Sequence, residues 1–384
     1  MADKVPKILV IEASVGSGHT RAAQAIAEAL TIEDPSVSVT VLDILEKAGW
    51  FYRKVYRSFY VSLARHFPSF LDFFYDRSDS LPAWFWKVLL FFDRREFARF
   101  LSGFSGDLPD LAVCTHFLPL EILSDLKRRR SLTFPVWGVI TDVHPHRIWI
   151  HDEIDRYFVP TSRGVDDIRA RKGVRTMVRE IGIPVHPAFC VPHNSEFLRK
   201  KWKLPGNFTV LLLAGGQGVG SLVPALDSFR GIDGEITLVA VAGKNRTLFN
   251  QCQTWAREHQ RAGLTVRVLG FVRNLHEWMA LSDLVVTKPG GLSVFESMAL
   301  GKPLLLLPPR GGQERKNMEM AIEAGAGVRL RNPRETGEAV RNLLKNPRTF
   351  KNMSEASRML GKPHAAGILA RMILEELCTS RKSQ

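Results

Sequence analysis

At 384 residues the chain is long enough for two domains, each with its own core. Its 45% hydrophobic and 24% charged residues exclude large-scale disorder. A formal net charge of +14 calls for an anionic partner, whether nucleic acid, nucleotide phosphates or an acidic membrane. Cysteines 114, 190, 252 and 378 form no CxxC pair and read as buried thiols in a reducing cytoplasm. No apolar stretch approaches the ~20 residues needed to span a bilayer.

The start, MADKVPK, shows no signal-peptide pattern and runs directly into a strand over 7–13. ASVGSGHT (13–20) follows, then the helical pattern RAAQAIAEAL. Strand, glycine turn and helix together present backbone N–H groups to a phosphate, yet His19 stands where a phosphate-binding loop carries lysine. Further strands are expected over 37–44, 111–115, 136–141 and 157–160, with helices or loops between them. The alternation predicts a mostly parallel sheet with helices on both faces. A proline-punctuated linker, GIPVHPAF (182–189), interrupts it. The scheme then restarts at FTVLLLAGG (208–216), with strands expected over 236–242, 266–269, 284–287 and 304–307. No short-period repeat is present, which excludes a solenoid.

One stretch departs from this pattern. Between Trp50 and Phe104 stand 19 of the chain's 36 aromatic residues, interleaved with Arg53, Lys54, Arg57, Arg65, Lys87, Arg94, Arg95 and Arg99. Amphipathic helices covering a core are one reading. The other is a monotopic membrane-contact surface, with aromatic rings at headgroup depth and basic side chains on anionic lipid. Single-stranded nucleic acid accepts such residues too, but these apolar runs are richer than a binding groove needs, and lipid is favoured. KRRR (127–130) reads as an exposed basic surface.

The segment TDVHPHRIWIH (141–151) carries Asp142, His144, His146 and His151. Its HxH spacing is a possible metal pattern, but no nearby cysteine or carboxylate completes a shell, and no metal is expected. In the second half, KPGGLSVFESMALGKPLLLLPPRGGQERKN (288–317) starts a helix at a glycine pair. Gly290 and Gly291 admit a ligand close to the backbone, and the N–H groups and dipole of the helix face any anion in the turn. Glu296, about a turn further on, is placed to accept two hydroxyl hydrogen bonds, as a ribose offers; a solvated helix face is the plainer alternative. GGQGVGS (215–221) offers a second phosphate-facing turn.

These motifs resemble those of inverting glycosyltransferases with the GT-B fold, in particular the processive diacylglycerol glucosyltransferases and the monogalactosyldiacylglycerol synthases. The resemblance covers ILVIEASVGSGHTRAAQAIAEAL, VITDVHPHRIWIHDEIDRYFVPT, GIPV, GGQGVG, AGKNRTL, LGFVRNLHEWMALSD, KPGG with FES, and GGQE. The loop around Gly218 is poorer in glycine than is usual in the family. The resemblance implies an α/β architecture of two doubly wound Rossmann-like domains facing across a cleft. Residues 1–185 would form an acceptor and membrane-contact domain and 186–361 a UDP-sugar-binding domain. A C-terminal helix over 362–384 is expected to pack back on the first.

It also implies roles. Phe271 and Val272 would meet the uracil edge, Gly290, Gly291, Leu292 and Ser293 the diphosphate, and Glu296 the ribose. Gln313 and Glu314 would contact sugar hydroxyls and the distal phosphate, with Asn317 supporting them, while Gly216, Gln217 and Gly218 close over the diphosphate. Inversion needs a general base for the acceptor hydroxyl. His19 fits that role, since an imidazole at a helix N-terminus is kept neutral and able to take a proton; a helix cap is the alternative. Gly16, Ser17 and Gly18 would line the acceptor side together with His144, Trp149 and His151. Asp142 would orient a base, and His144 and His151 are the other candidates for that base.

The expected reaction transfers a hexose from UDP-glucose or UDP-galactose to diacylglycerol, without a cofactor, at the cytoplasmic face of the membrane. The expected partners are the UDP-sugar, diacylglycerol and an anionic lipid surface, and not nucleic acid, since no RRM, KH or helix-turn-helix pattern is present. Transfer to a polyprenyl-linked acceptor and sugar-nucleotide epimerisation are the alternatives.

Overall fold

A computed structural model of the chain describes residues 5–14, 17–49, 97, 108–171, 176–216, 218, 221–232 and 234–382. Gly16, Gln217 and, apart from Phe97, the aromatic and basic stretch 50–104 lie outside the described residues. The chain divides into two units, Met1–Pro187 with Arg310–Gln313 and His364–Gln384, and Ala188–Pro309 with Glu314–Pro363.

In the first unit β1 (Lys7–Glu12), β2 (Ser38–Asp43), β3 (Leu111–Cys114), β4 (Val136–Val139), β5 (Arg156–Val159) and β6 (Met177–Glu180) form one parallel sheet. Its order is β2-β1-β3-β4-β5-β6. The strand sequences, such as KILVIE and LAVC, are apolar on both faces because helices cover both. Ile8 and Val10 pack on one side with α1 (Ser17–Glu33), whereas Leu9 and Ile11 pack on the other with α2 (Phe117–Arg128). Period-two alternation divides each strand between two cores.

The second unit repeats the arrangement with β7 (Phe208–Leu213), β8 (Ile236–Val241), β9 (Leu264–Leu269), β10 (Leu284–Thr287), β11 (Leu304–Leu306) and β12 (Gly327–Arg329), all parallel, in the order β12-β11-β10-β7-β8-β9. The helices that bear on the site here are α3 (Arg246–His259), α4 (Gly291–Ala299) and α5 (Gly312–Glu323). The last helix, α6 (Ala365–Lys382), belongs to the first unit. It buries Leu369, Ile373 and Leu377 with Ile26 and Leu30 of α1, each worth about 1.5–3 kcal/mol of apolar transfer. Arg371 to Glu33 at 2.6 Å and Arg156 to Glu376 tie its exposed side.

Both orders contain one point where the winding reverses, between β1 and β3 in the first sheet and between β7 and β10 in the second. In open α/β sheets, ligands bind beyond the strand carboxyl ends at such points. The segments that follow these four strands begin at Ala13, Thr115, Ala214 and Lys288. In sequence, three of the four carry the glycine motifs, the first of them leading into α1 and His19.

Among the described residues, no helix is long and apolar enough to cross a membrane.

Candidate active site

In the first unit the switch point brings His19, near the start of α1, against the residues that follow β3 and β4. The Nδ1 of His19 lies 2.9 Å from the carbonyl oxygen of Thr115, and a carbonyl only accepts, so Nδ1 carries the proton and Nε2 the lone pair. The hydroxyl oxygen of Thr141 lies 2.9 Å from the same Nδ1, and the Thr115 hydroxyl donates at 3.1 Å to the His19 backbone carbonyl. His19 is therefore not a cap of its own helix: its ring is tied to a loop 96 residues away. Burial pushes its imidazole down to about 4, partly opposed by the Thr115 bond. Beside it, buried Glu12 accepts from the Thr20 hydroxyl at 2.8 Å.

Two further rings stand beside His19, and a third packs on those two. His116 stands edge-on at 4.7 Å between centroids and Trp149 at 6.0 Å, and Phe117 lies 4.2 Å from His116 and 6.1 Å from Trp149. His116 caps α2, its Nδ1 accepting from the Leu118 N–H at 3.1 Å. Burial, and then repulsion from His19, hold its pKa well below the usual histidine value.

Asp142, expected from sequence to orient a base, is engaged by two other side chains. Its Oδ2 accepts from the indole Nε1 of Trp149 at 3.0 Å and from the Nε2 of Gln313, which groups with the first unit, at 2.7 Å. Backbone geometry at Thr115 supplies the orienting acceptor instead, and burial raises the Asp142 carboxyl to about 6. The other histidines are tied separately. His144 pairs with Asp167 at 2.8 Å, the His146 Nδ1 accepts from Ile148 N–H, and the His151 Nε2 donates to the Ile148 carbonyl at 3.1 Å. Burial depresses His151 to about 4. Among the described residues no group of three or more metal-ligating side chains comes together.

In the second unit two glycine loops meet at the β7/β10 switch point. Gly215 and Gly218 have φ of 77° and 67°, which only glycine adopts without strain. A Cβ on Gly218 would come within 2.4 Å of the Ala242 carbonyl and 2.3 Å of Asn245 Cβ. Asn245 donates to the Gly218 carbonyl at 2.9 Å while its Oδ1 caps α3. Opposite, α4 begins at Gly290, whose φ is −70° and whose Cβ would meet nothing within 4 Å. No side chain caps this end.

Backbone conformation does not require glycine at 290, and the fold would accept a stronger cap there. Glu296 is 1% exposed, so the solvated-face alternative fails. The loop is held from α5: Lys288 Nζ pairs with Glu314 at 2.7 Å, and the Asn317 amide donates to the Pro289 carbonyl at 3.0 Å. Asn317 Oδ1 is buried and makes no hydrogen bond. Phe271, 57% exposed, receives the Lys244 ammonium over its ring at 5.3 Å. Leu292 is buried, and Val272 and Ser293 are half-buried.

A family model described as monogalactosyldiacylglycerol synthase matches residues 19–185, and one for the glycosyltransferase family 28 C-terminal domain matches 209–368. The chain is 30% identical over 386 residues to a processive diacylglycerol beta-glucosyltransferase of Bacillus cereus strain B4264, covering 97% of this chain and 94% of the relative. The chain belongs to this glycosyltransferase family. A relative of the same description from Bacillus cytotoxicus matches equally, at 30% over 390 residues with the same coverage.

Among solved structures, MurG of Acinetobacter baumannii superposes with a TM-score of 0.59 at 12% identity, covering 96% of this chain and 99% of that one. S. aureus MnaA, solved with UDP, superposes at 0.62 and 15%, covering 97% of each. At these identities the likeness shows the fold alone, the two Rossmann-like domains of GT-B proteins.

Reasoning from sequence assigns no role to Thr115, His116, Thr141, Lys288 or Asn245. One signal for the first two was present: a Thr-His pair directly after an apolar strand, LAVC, at a sheet centre.

Proposed function

We propose that the enzyme transfers a hexose from a UDP-sugar to diacylglycerol with inversion, forming a membrane glycolipid. The observation that carries this is the His19–Thr115 bond, which fixes the tautomer with Nε2 as the unprotonated nitrogen. In the proposed step Nε2 removes the acceptor hydroxyl proton and that oxygen attacks the anomeric carbon of the donor. The bond from this carbon to the diphosphate breaks and UDP departs with the electron pair. An imidazole depressed to about 4 is neutral at pH 7, and the negative charge of a diphosphate donor favours its protonated form as the proton moves.

The second unit would hold the donor. The α4 N-terminus would take the diphosphate, Glu296 the ribose hydroxyls, Phe271 and Val272 the uracil, and Glu314 and Asn317 the sugar side, with Gln313 of the first unit also contacting the sugar. Gly216, Gln217 and Gly218 would close over the diphosphate. Lys288, which pairs with Glu314, adds a cation for the departing diphosphate, so that no metal is required. Trp149, His144 and His151, with Ser17 and Gly18, would line the acceptor side.

The enzyme would work as a peripheral protein on the cytoplasmic membrane face, held by the aromatic and basic stretch 50–104. The acceptor of the named relatives is diacylglycerol, which supports this acceptor over a polyprenyl-linked one. The test is incubation with labelled UDP-glucose or UDP-galactose and dioleoylglycerol vesicles, followed by lipid extraction. Label in the extracted lipid supports the proposal, and label confined to water-soluble sugar opposes it.

A further inference from the structure

His19 and His116 form a pair of imidazoles whose tautomers are fixed in opposite senses. In His19 the Nδ1 proton is committed to the Thr115 carbonyl, which leaves Nε2 as an acceptor. In His116 the Nδ1 lone pair is committed to the Leu118 N–H, so the neutral ring carries its proton on Nε2 and is a donor there. The rings are 4.7 Å apart between centroids, and His116 is 3% exposed. Both are fixed by backbone groups, one by the end of β3 and the other by the first turn of α2, so neither tautomer can switch without breaking a backbone bond.

One oxygen accepting from one nitrogen and donating to another, at about 3 Å each, bridges atoms up to about 6 Å apart. The 4.7 Å between the two rings is a centroid distance, each ring nitrogen lying about 1.2 Å from its own centroid, and it is of the same scale as that span. A hydroxyl group is the chemical function that matches such a pair, because it donates through its hydrogen and accepts through its lone pairs. A carboxylate or phosphate oxygen would satisfy His116 and leave His19 facing a second lone pair.

We infer that His116 is a substrate-contacting residue whose Nε2–H donates to the oxygen of the acceptor hydroxyl while His19 Nε2 accepts its proton. The donor orients the attacking lone pair and stabilises the negative charge that develops on that oxygen as the proton leaves. The inference rests on the proposed role of His19 and extends it to recognition: the acceptor enters through a lone alcohol function. Its plain rival is that His116 serves only as the cap of α2.

The two substitutions that imitate one ring nitrogen each separate these readings. In H116N the amide oxygen takes the place of Nδ1 and keeps the cap but provides no donor at the Nε2 position. In H116Q the amide N–H reaches the Nε2 position, while the cap is weakened. Three quantities are measured on the full chain: the melting temperature, the affinity for dioctanoylglycerol by calorimetry without donor, and turnover of UDP-glucose with dioleoylglycerol.

The expected result is that H116N melts like wild type, binds dioctanoylglycerol at least fivefold more weakly and turns over about 10–100-fold more slowly. H116Q should melt lower yet recover affinity and turnover to within about fivefold of wild type. Unchanged affinity and turnover in H116N would overturn the inference and leave the transferase reading intact. So would a wild-type protein that binds no dioctanoylglycerol yet transfers glucose to dioleoylglycerol with H116N unimpaired. Should wild type bind dioctanoylglycerol with the expected H116N loss but transfer no sugar, the hydroxyl site stands and the transferase reading falls.

Discussion

His19 and Thr115 hold each other twice: the His19 ring donates to the Thr115 carbonyl at 2.9 Å, and the Thr115 hydroxyl donates to the His19 carbonyl at 3.1 Å. The double tie joins the strand end of β3 to the first turn of α1 and encloses the ring enough to hold it neutral. Protonating it means placing a charge where burial opposes it.

Stability should therefore depend on acid pH. His19 and His151 fall from 6.5 to about 4 on folding, and His116 falls well below 6.5, so the unfolded chain binds more protons at these residues below pH 6.5. Their contribution is complete above that value and is lost as pH falls toward 4. Asp142, raised to about 6, acts in the opposite sense between about 6 and 3.8, but it is one group against three. The melting temperature should fall between pH 7 and 4.5, and H116N should flatten part of the slope. A melting temperature that rises over this range would contradict the assignment.

Donor binding should depend on Glu296. With Glu296 holding the ribose as proposed, Glu296→Ala would remove two charge-assisted hydroxyl bonds, each worth about 1.5–3 kcal/mol, so UDP affinity by calorimetry should fall at least tenfold. Wild-type affinity would remove Glu296 from the ribose.

Two glycines should behave oppositely. Gly290→Ala meets open space at a φ of −70° and should change stability by less than about 1 kcal/mol while weakening UDP, because the added methyl group stands where the ligand approaches. Gly218→Ala places a methyl group against the Ala242 carbonyl at positive φ and should lower the melting temperature clearly. Equal melting losses would show that Gly290 is only a turn residue.

Turnover should persist in EDTA, since the helix N-terminus and Lys288 are proposed to carry the charge of the leaving group. Loss of activity on chelation, restored by Mg²⁺ or Mn²⁺, would overturn that proposal.

Vesicle binding should increase with anionic lipid and weaken in high salt, with each basic residue near the surface adding about 1 kcal/mol. Co-sedimentation with neutral vesicles equal to that with anionic ones would remove the electrostatic part.

The fold was legible wherever strands are buried on both faces. KILVIE, FTVLLL and ITLVAV announce themselves as apolar runs. The strands missed were the edges β6 and β12, MVRE and GVR, where Met177 is 53% and Val328 39% exposed and no apolar run forms. The glycine turns after β7 and β10 were legible because each follows its own apolar strand. Thr115 and Thr141 were not, because their contacts with His19 cross 96 and 122 residues and depend on the order of strands in the sheet. The Gln313 partner of Asp142 was hidden for the same reason, since it stands 171 residues away.

The most direct test of the account is His19→Asn, in which the amide N–H can still reach the Thr115 carbonyl but the basic Nε2 is lost. Transfer from UDP-glucose to dioleoylglycerol, UDP affinity and melting temperature are measured on the same preparation. The account expects turnover to fall by about 10²–10⁴, the usual contribution of a general base, with UDP affinity and melting nearly unchanged. Turnover within a few-fold of wild type would contradict it and pass the base role to His144 or His151.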